Sequence, residues 1–574
     1  MNFSTLRVVL LLAPLMGRHP TTAQFFAGAA QMGGPEAEVM NDLEEDVFGN
    51  LFATGSFRAT ADFDPGPDVY SVTGTGLGNV DNVFVAKYDS SMSPLWVAVM
   101  GGGTWLDHGA VVAPGPNGES VTLGQFQDSG DFDPGPGVTI LTAVDASDVF
   151  CVKLDASGGL VWAVQFGDTA YDIPYDLAVD GSGNVLLGGR FIDTMDVDPG
   201  PDIQLMPPVA GSQGLLIKLN PQGELLWAVH MGYSVDQILP APGGEILVRG
   251  SIATSMDADP GAGVVTLDQA DGDNYLIRLD SGGNLISAGQ FGRTINGWGT
   301  VPVDMAVDPV GNIVLAGYFF GIVDVDPGPG AHLLTESGPT GQPDMFVAKL
   351  DPAGELIWAF SCGAAGVEQA LDVTLTLQGP ILVSGSYYDS PVDLDPGPGV
   401  VSTTVFGEAD IFLLAIDPDG TFLGASWIGG SGGDWLNGTI QRSNGALLGY
   451  GIFEGTMDFD PGPGEFLLTS EGQIDIFIAH FIYDTTGLVD LVPSSPVVRI
   501  HPNPATECVH ITGEGVEHLD LKVYDALGNI RQVPVKYRGR DEVVLDVTET
   551  PPGIFHVVGT STAPVLSGKF IVTR

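Results

Sequence analysis

The stretch Asp131-Phe132-Asp133-Pro134-Gly135-Pro136-Gly137 is written seven times along the 574-residue chain. Its copies begin at Asp62, Asp131, Asp196, Asp257, Asp324, Asp393 and Asp458, separated by 69, 65, 61, 67, 69 and 65 residues. All keep Asp, one apolar residue, Asp, Pro and Gly. The sixth position is Pro except at Ala262, and the seventh is Gly except at Asp68 and Asp202. A unit repeated at a near-constant period is the mark of a solenoid, propeller or array. The motif therefore speaks first to architecture.

Around each copy the parts keep one order. In the third unit they are Asp176-Leu177-Ala178-Val179-Asp180, the turn Gly183-Asn184, the run Val185 to Phe191, and the motif at Asp196. Leu215 to Leu219, a Pro-Gln-Gly turn and Leu225 to Val229 follow. Each run has strand length, strand-forming residues and turn signals on both sides. No stretch holds apolar spacing of three and four long enough for a helix. Four or five short strands per unit, seven times over, predict an all-β fold, a seven-bladed β-propeller, over residues 24–491.

The last unit lacks a good final strand, and Gly28-Ala29-Ala30-Gln31-Met32-Gly33 resembles the missing piece. The N-terminal strand is expected to complete the seventh blade and leave no free edge. Asp-x-Ala-x-Asp-x-x-Gly-Asn followed by an apolar strand and Gly, best seen at Asp176–Gly188 and Asp304–Gly317, resembles the bacterial propeller repeat of SBBP type. Gly118-Glu119, Gly244-Glu245, Gly379-Pro380 and Gly445-Ala446 depart from it. That resemblance implies a fold and no single activity.

Residues 1–23 read as a secretory signal, with Arg7 before the apolar run Val8 to Met16 and Thr21-Thr22-Ala23 before the cleavage point. No other run reaches the length of a transmembrane helix. A Pro-rich linker, residues 492–496, separates the repeats from a C-terminal domain, 497–574, expected to be a small β-sandwich. His501-Pro502-Asn503-Pro504-Ala505, Leu521 to Gly528, Pro552-Gly553-Ile554-Phe555 and Gly568-Lys569-Phe570-Ile571-Val572 run through it in order. They resemble the C-terminal sorting domain of type IX secretion substrates (type A). The resemblance implies recognition by outer-membrane type IX machinery, with Pro502, Asn503, Pro504, Gly528, Gly553, Lys569, Phe570, Ile571 and Val572 carrying the signal. It also implies export through the periplasm to the cell surface or beyond.

The formal net charge is −51, of which the residues from Val497 onward carry only −1 (eight Lys/Arg, nine Asp/Glu). Such a body repels nucleic acid and anionic membranes and attracts cations. Each motif offers an Asp pair whose side chains share one strand face. The pairs are Asp62 and Asp64, Asp131 and Asp133, Asp196 and Asp198, Asp257 and Asp259, Asp324 and Asp326, Asp393 and Asp395, and Asp458 and Asp460. They are candidate calcium ligands by their hard oxygens. The spacing is not an EF-hand, and the competing reading is a turn, with Pro fixing φ and Gly supplying a positive φ. A basic residue recurs at Lys87, Lys153, Lys218, Arg278 and Lys349, with Ala415 and His480 in the last two units. Meeting the Asp pairs, these cations would neutralise them, leaving the last two units as the best metal sites.

Trp96, Trp162, Trp227 and Trp358 share one repeat position and are expected between blades; Trp105, Trp298, Trp427 and Trp435 fall outside that register. Cys151, Cys362 and Cys508 form no metal or redox spacing. No catalytic residue is nominated: Gly429-Gly430-Ser431-Gly432-Gly433 lacks a strand-to-helix elbow. The functional expectation is an exported binding or scaffold module with an extracellular protein or polysaccharide ligand. The alternatives are a calcium-stabilised adhesin or polysaccharide binder, and a propeller hydrolase or lyase.

Overall fold

In a computed structural model of the chain, the middle residue of every Asp-x-Asp motif is sunk in the core. Phe63, Phe132, Val197, Ala258, Val325, Leu394 and Phe459 are all buried. Alternation along a strand then turns both flanking carboxylates away from the core. The structure describes residues 24–483 except 76–79, 103–106, 145, 208–212, 242, 378 and 463. Of the C-terminal segment it describes 499–501, 505–512, 520–525, 530–539, 542–560 and 566–572. The expected signal, residues 1–23, the expected linker, residues 492–496, and Trp105, Pro502, Asn503, Pro504 and Gly528 lie outside the described residues.

The described chain is all-β, with one short 3-10 turn at Gln269–Asp271. The repeats fold as four-stranded antiparallel meanders, here sheets I to VII. Sheet III is typical: Ile173–Val179, Val185–Arg190, Gly214–Leu219 and Leu225–His230 pair in that order. The other first strands are Glu38–Glu45 (I), His108–Pro114 (II), Gln237–Pro240 (IV), Arg293–Val307 (V), Val367–Leu375 (VI) and Asp434–Gln441 (VII).

Sheet VII draws its fourth strand from the other end of the repeats. Gln24–Met32 pairs antiparallel with Asp475–Tyr483, from Gln24 opposite Tyr483 to Met32 opposite Ile476. Sheets VII and I are further fastened by Arg442, which is only 2% exposed. Its guanidinium donates to Glu45 Oε1 at 2.9 Å and to the Gly49 and Ser90 carbonyls at 3.0 Å.

The segment after Asp-Pro-Gly turns back as a hairpin, and in sheet V its return strand Leu333–Thr335 pairs with the meander's own second strand, Ile313–Asp324, as a fifth strand. Ser129–Asp131 with Ile140–Thr142 is one such hairpin, and Asp131 also bridges to Gly101 of sheet I. The same relation ties Asp62 to Gly33 and Asp458 to Gly429. Each of these hairpins leans on the end of the preceding sheet's outer strand.

The C-terminal segment forms two four-stranded sheets. Their apolar faces meet in one core that includes Val509, Ile511, Val523, Leu545 and Val557. The closing strand Leu566–Val572 pairs with Gly553–Thr560, setting Gly553 opposite Val572 and Phe555 opposite Phe570.

Candidate functional site

The Asp-Pro-Gly acids bond to their own hairpins. In every copy Oδ1 of the first Asp accepts the amide two residues on and the amide eight residues on. The second contact lies at 2.8–2.9 Å, from Tyr70, Thr139, Gln204, Val265, His332, Val401 and Phe466. Oδ1 of the second Asp accepts the motif glycine's amide at 2.7–2.8 Å in all seven. The motif glycines do not adopt positive φ, which corrects the type II expectation. They are glycine because the carboxylate sits close: a Cβ on Gly135 would lie 3.0 Å from Asp133 Oδ1. Positive φ belongs to the glycines of the meander turns, such as Gly183 at +80° and Gly420 at +86°.

The recurring cations do not reach these acids either. Lys153 meets Glu119 at 3.2 Å, Lys218 meets Asp180 at 3.0 Å and Lys349 meets Asp308 at 3.2 Å, all within their own sheets. They also touch the next sheet: Lys218 donates to Ser281 O and Lys349 to Pro418 O. Lys87 donates to Gly118 O. Absence of the cation in sheets VI and VII thus frees no Asp pair. The in-register tryptophans do similar work, Trp96, Trp162 and Trp358 each donating at 3.1 Å to a turn carbonyl of the following sheet. Trp298 is 76% exposed beside Phe320, and Trp435 donates to Tyr388.

What the motif search missed is a set of acids on the first strands. Asp42, Asp176, Asp304 and Asp372 line one cavity of about 530 Å³, bounded by residues of all seven first strands. Asp42, Asp176, Asp304 and Asp372 each follow a β-bulge in the first strand of their sheet. Each reaches across to the next first strand: Asp42 accepts Val112 N at 2.8 Å, Asp176 accepts Ile238 N at 2.5 Å and Asp304 accepts Val373 N at 2.8 Å. Asp372 accepts from the Thr439 hydroxyl. Glu44 joins them in the same cavity.

Burial raises the proton affinity of the whole set. It pushes Asp42 up to about 6 against the backbone bonds that lower it. It pushes Asp176 and Asp372 to about 7, with neighbouring acids adding to the rise. Asp304, half-buried, is also raised by its depth in the protein. Glu44 is pushed up by its depth in the cavity and then by all four aspartates, although its side chain is exposed and solvent there moderates the rise. Two of these acids, Asp176 and Asp304, open the best copies of the Asp-x-Ala-x-Asp motif, so the signal was present. Gly438 takes the same place after the bulge in sheet VII, and Val111 does so in sheet II. The seven-fold pattern is broken there.

Comparison with known proteins agrees with this architecture. Residues 161–190 match the family described as a beta-propeller repeat, and residues 499–573 match the secretion system C-terminal sorting domain. The protein is exported. An uncharacterized WD repeat-containing protein, L264, of Acanthamoeba polyphaga mimivirus is 23% identical over 497 residues. The match takes in 75% of this chain and 34% of that relative, so the chain spans about a third of its length. No helix among the described residues is long and apolar enough to cross a membrane.

Proposed function

We propose that residues 24–491 form a seven-bladed β-propeller, sealed by the strand Gln24–Met32, that acts as a binding or scaffold module at or beyond the cell surface. Residues 492–496 link it to a sorting domain, 497–574, that engages the outer-membrane secretion machinery. The observation that carries the binding reading is the first-strand cavity. Six carboxyls from five sheets line it, Asp236 among them paired with Arg249 at 3.5 Å, and the repulsion among the rest favours whatever brings in positive charge. A lysine or arginine side chain of a protein ligand, or the amino group of a polysaccharide, fits that field. Each channel aspartate already accepts a hydrogen bond from the neighbouring first strand, which suits a scaffold better than an acid–base pair.

The test is binding of a fluorescent arginine-rich peptide to the secreted chain. Glu44→Gln should weaken it about tenfold, roughly 1.4 kcal/mol, while the exposed Asp155→Asn should not. Equal binding by both variants would sink the cavity as the site.

A second reading, calcium in the Asp-Pro-Gly hairpins, rests on Asp395. Its Oδ2 is buried without a hydrogen-bond partner. Asp395→Asn should then remove part of any calcium-induced rise in melting midpoint.

A further inference from the structure

The seven places where one meander meets the next divide into two kinds. At each, a glycine corner ends the outer strand: Gly33, Gly101, Gly167, Gly232, Gly292, Gly363 and Gly429. Two polar positions face this corner, one at the start of the same sheet's third strand and one at the start of the next sheet's first strand. In four junctions both positions are acids: Asp475 with Glu38, Asp148 with Asp172, Asp344 with Glu368, and Asp410 with Asp434. All eight are at most 1% exposed.

Their placement is shared. Ile474 and Ala37, Ser147 and Tyr171, and Ala409 and Gly433 form parallel bridges, which set the following acids side by side. Glu368 N donates to Pro343 O at 2.9 Å in the fourth case. The first acid lies on the corner glycine: a Cβ on Gly167 would fall 2.1 Å from Asp148 Cγ, and one on Gly363 2.0 Å from Asp344 Cγ. The second acid accepts the very next amide. Glu38 takes Gly34 N at 2.9 Å, Asp172 takes Asp168 N at 2.9 Å, Glu368 takes Ala364 N at 3.1 Å and Asp434 takes Gly430 N at 2.5 Å. The first acid turns one oxygen to its own loop: Asp148 Oδ2 takes Val144 N at 3.2 Å, Asp344 Oδ2 takes Ser337 N at 2.8 Å and Asp410 Oδ2 takes Phe406 N at 2.8 Å, whereas both oxygens of Asp475 are bonded, to Glu471 N and Gly472 N.

The other oxygens are orphaned. Glu38 Oε1, Asp148 Oδ1, Asp172 Oδ1, Asp344 Oδ1, Glu368 Oε1, Asp410 Oδ1 and Asp434 Oδ1 are buried with no hydrogen-bond partner. The Ile192, Gly407 and Glu454 amides lie near Asp172, Asp410 and Asp434 without changing that. No Lys, Arg or His pairs with any of these acids among the described residues.

The three remaining junctions need nothing from outside. Asn274 Nδ2 donates to Thr300 Oγ1 at 2.8 Å, and Ser234 bonds Ser251 at 2.6 Å beside Gly214. Asp107, opposite Asn82, has both oxygens satisfied by Gly102 N and Gln127 N. The fold can close a junction with neutral side chains, so paired buried acids are not a requirement of the architecture. Two buried carboxylates without compensation are prohibitively costly.

We propose that each of the three junctions in which both acids keep an orphaned oxygen, Asp148 with Asp172, Asp344 with Glu368 and Asp410 with Asp434, holds one hard divalent cation of calcium type, bound by those oxygens and clamping adjacent sheets. Two carboxylates match a double positive charge. Calcium takes about six to eight oxygens in flexible geometry, so backbone carbonyls and water would complete the shell that the two carboxyls begin, where magnesium demands a near-ideal octahedron. These sites are distinct from the Asp-Pro-Gly hairpins and from the first-strand cavity.

The test is native mass spectrometry of the secreted chain, equilibrated with calcium and then passed over a chelating resin. Three retained calcium ions are expected, one for each junction with two orphaned oxygens. The double substitution Asp344→Asn with Glu368→Gln installs the amide chemistry of the neutral junctions and should lower the count to two. It should also shrink the calcium-induced rise in melting midpoint. Asp395→Asn should leave the count at three; a drop there alone would support the hairpin reading and overturn this one. Retention of no calcium, or an unchanged count in the double variant, also overturns it. Loss of stability on raising the pH of the calcium-saturated protein through neutrality would show that shared protons hold the junctions instead.

Discussion

The hairpin acids and the junction acids are one residue type in two opposite conditions. Asp131 sits in a motif written seven times, and its Oδ1 takes two amides of its own loop. Asp172 sits at a junction, takes one amide, and buries its second oxygen with no partner. Burial pushes the Asp172 carboxyl up to about 8, and neighbouring Asp168 and Asp148 add to that. The conspicuous repeat spends its Oδ1 atoms on the amides of its own hairpin. Chemistry collects where acids crowd without such support, at positions that vary from unit to unit.

Several substitutions would break or sharpen that contrast. The largest effect is expected from removing residues 24–34. This strips the outer strand of sheet VII and the Gly33-Gly34 corner that holds Glu38 beside Asp475. Loss of cooperative folding, seen by circular dichroism and protease sensitivity, is the expected outcome, well beyond ordinary terminal trimming. Next comes Phe459→Ala, which leaves a void against Phe453 and Phe477 and should cost about 3–5 kcal/mol in denaturant melts. Arg442→Ala, which abandons nearly buried Glu45, should cost about 3 kcal/mol by the same measure. Asp131→Ala orphans two hairpin amides and should cost about 1–2 kcal/mol. Asp131→Asn, which keeps an acceptor oxygen, should cost less.

The smallest and most diagnostic effect is on pH dependence without divalent cations. Glu38 and Asp172 are raised to about 8, and Glu368 and Asp434 to about 7, in each case by burial first. The folded protein then holds protons that the unfolded chain has already released. Stability is therefore greatest below the ordinary carboxylate range and falls as pH rises through neutrality. Melting midpoints across that range should show the slope, and Asp344→Asn with Glu368→Gln should flatten it.

Much of the architecture was legible in the sequence because periodicity reports burial directly. Phe132 and its six counterparts alternate with acids, and turn glycines recur at fixed intervals. The strand Gln24–Met32 was legible for a similar reason, since Gly28 to Gly33 repeats the ending found at Trp162 to Gly167. The hairpin bonding was not, because an Asp pair before Pro-Gly fits a metal loop and an amide-capping loop equally well. Only the positions of Thr139 N and Gly135 N separate the two. The first-strand acids were half visible, as Asp176 and Asp304, but nothing in spacing says that strands more than sixty residues apart share a cavity. The junction acids were invisible. Asp148 and Asp172 belong to different units and different repeat positions, and only the parallel bridge between Ser147 and Tyr171 makes them neighbours.

The most direct measurement is infrared difference spectroscopy of the calcium-free protein at neutral pH, reading the carbonyl stretch of protonated carboxylic acids. A protonated-acid signal is expected, and the part of it that belongs to the junctions should disappear on adding calcium while that of the first-strand cavity remains. The junction part should shrink in Asp344→Asn with Glu368→Gln and persist in Asp131→Asn with Asp133→Asn. A spectrum with every carboxylate ionised, or a signal that follows the hairpin variants instead, would contradict the account.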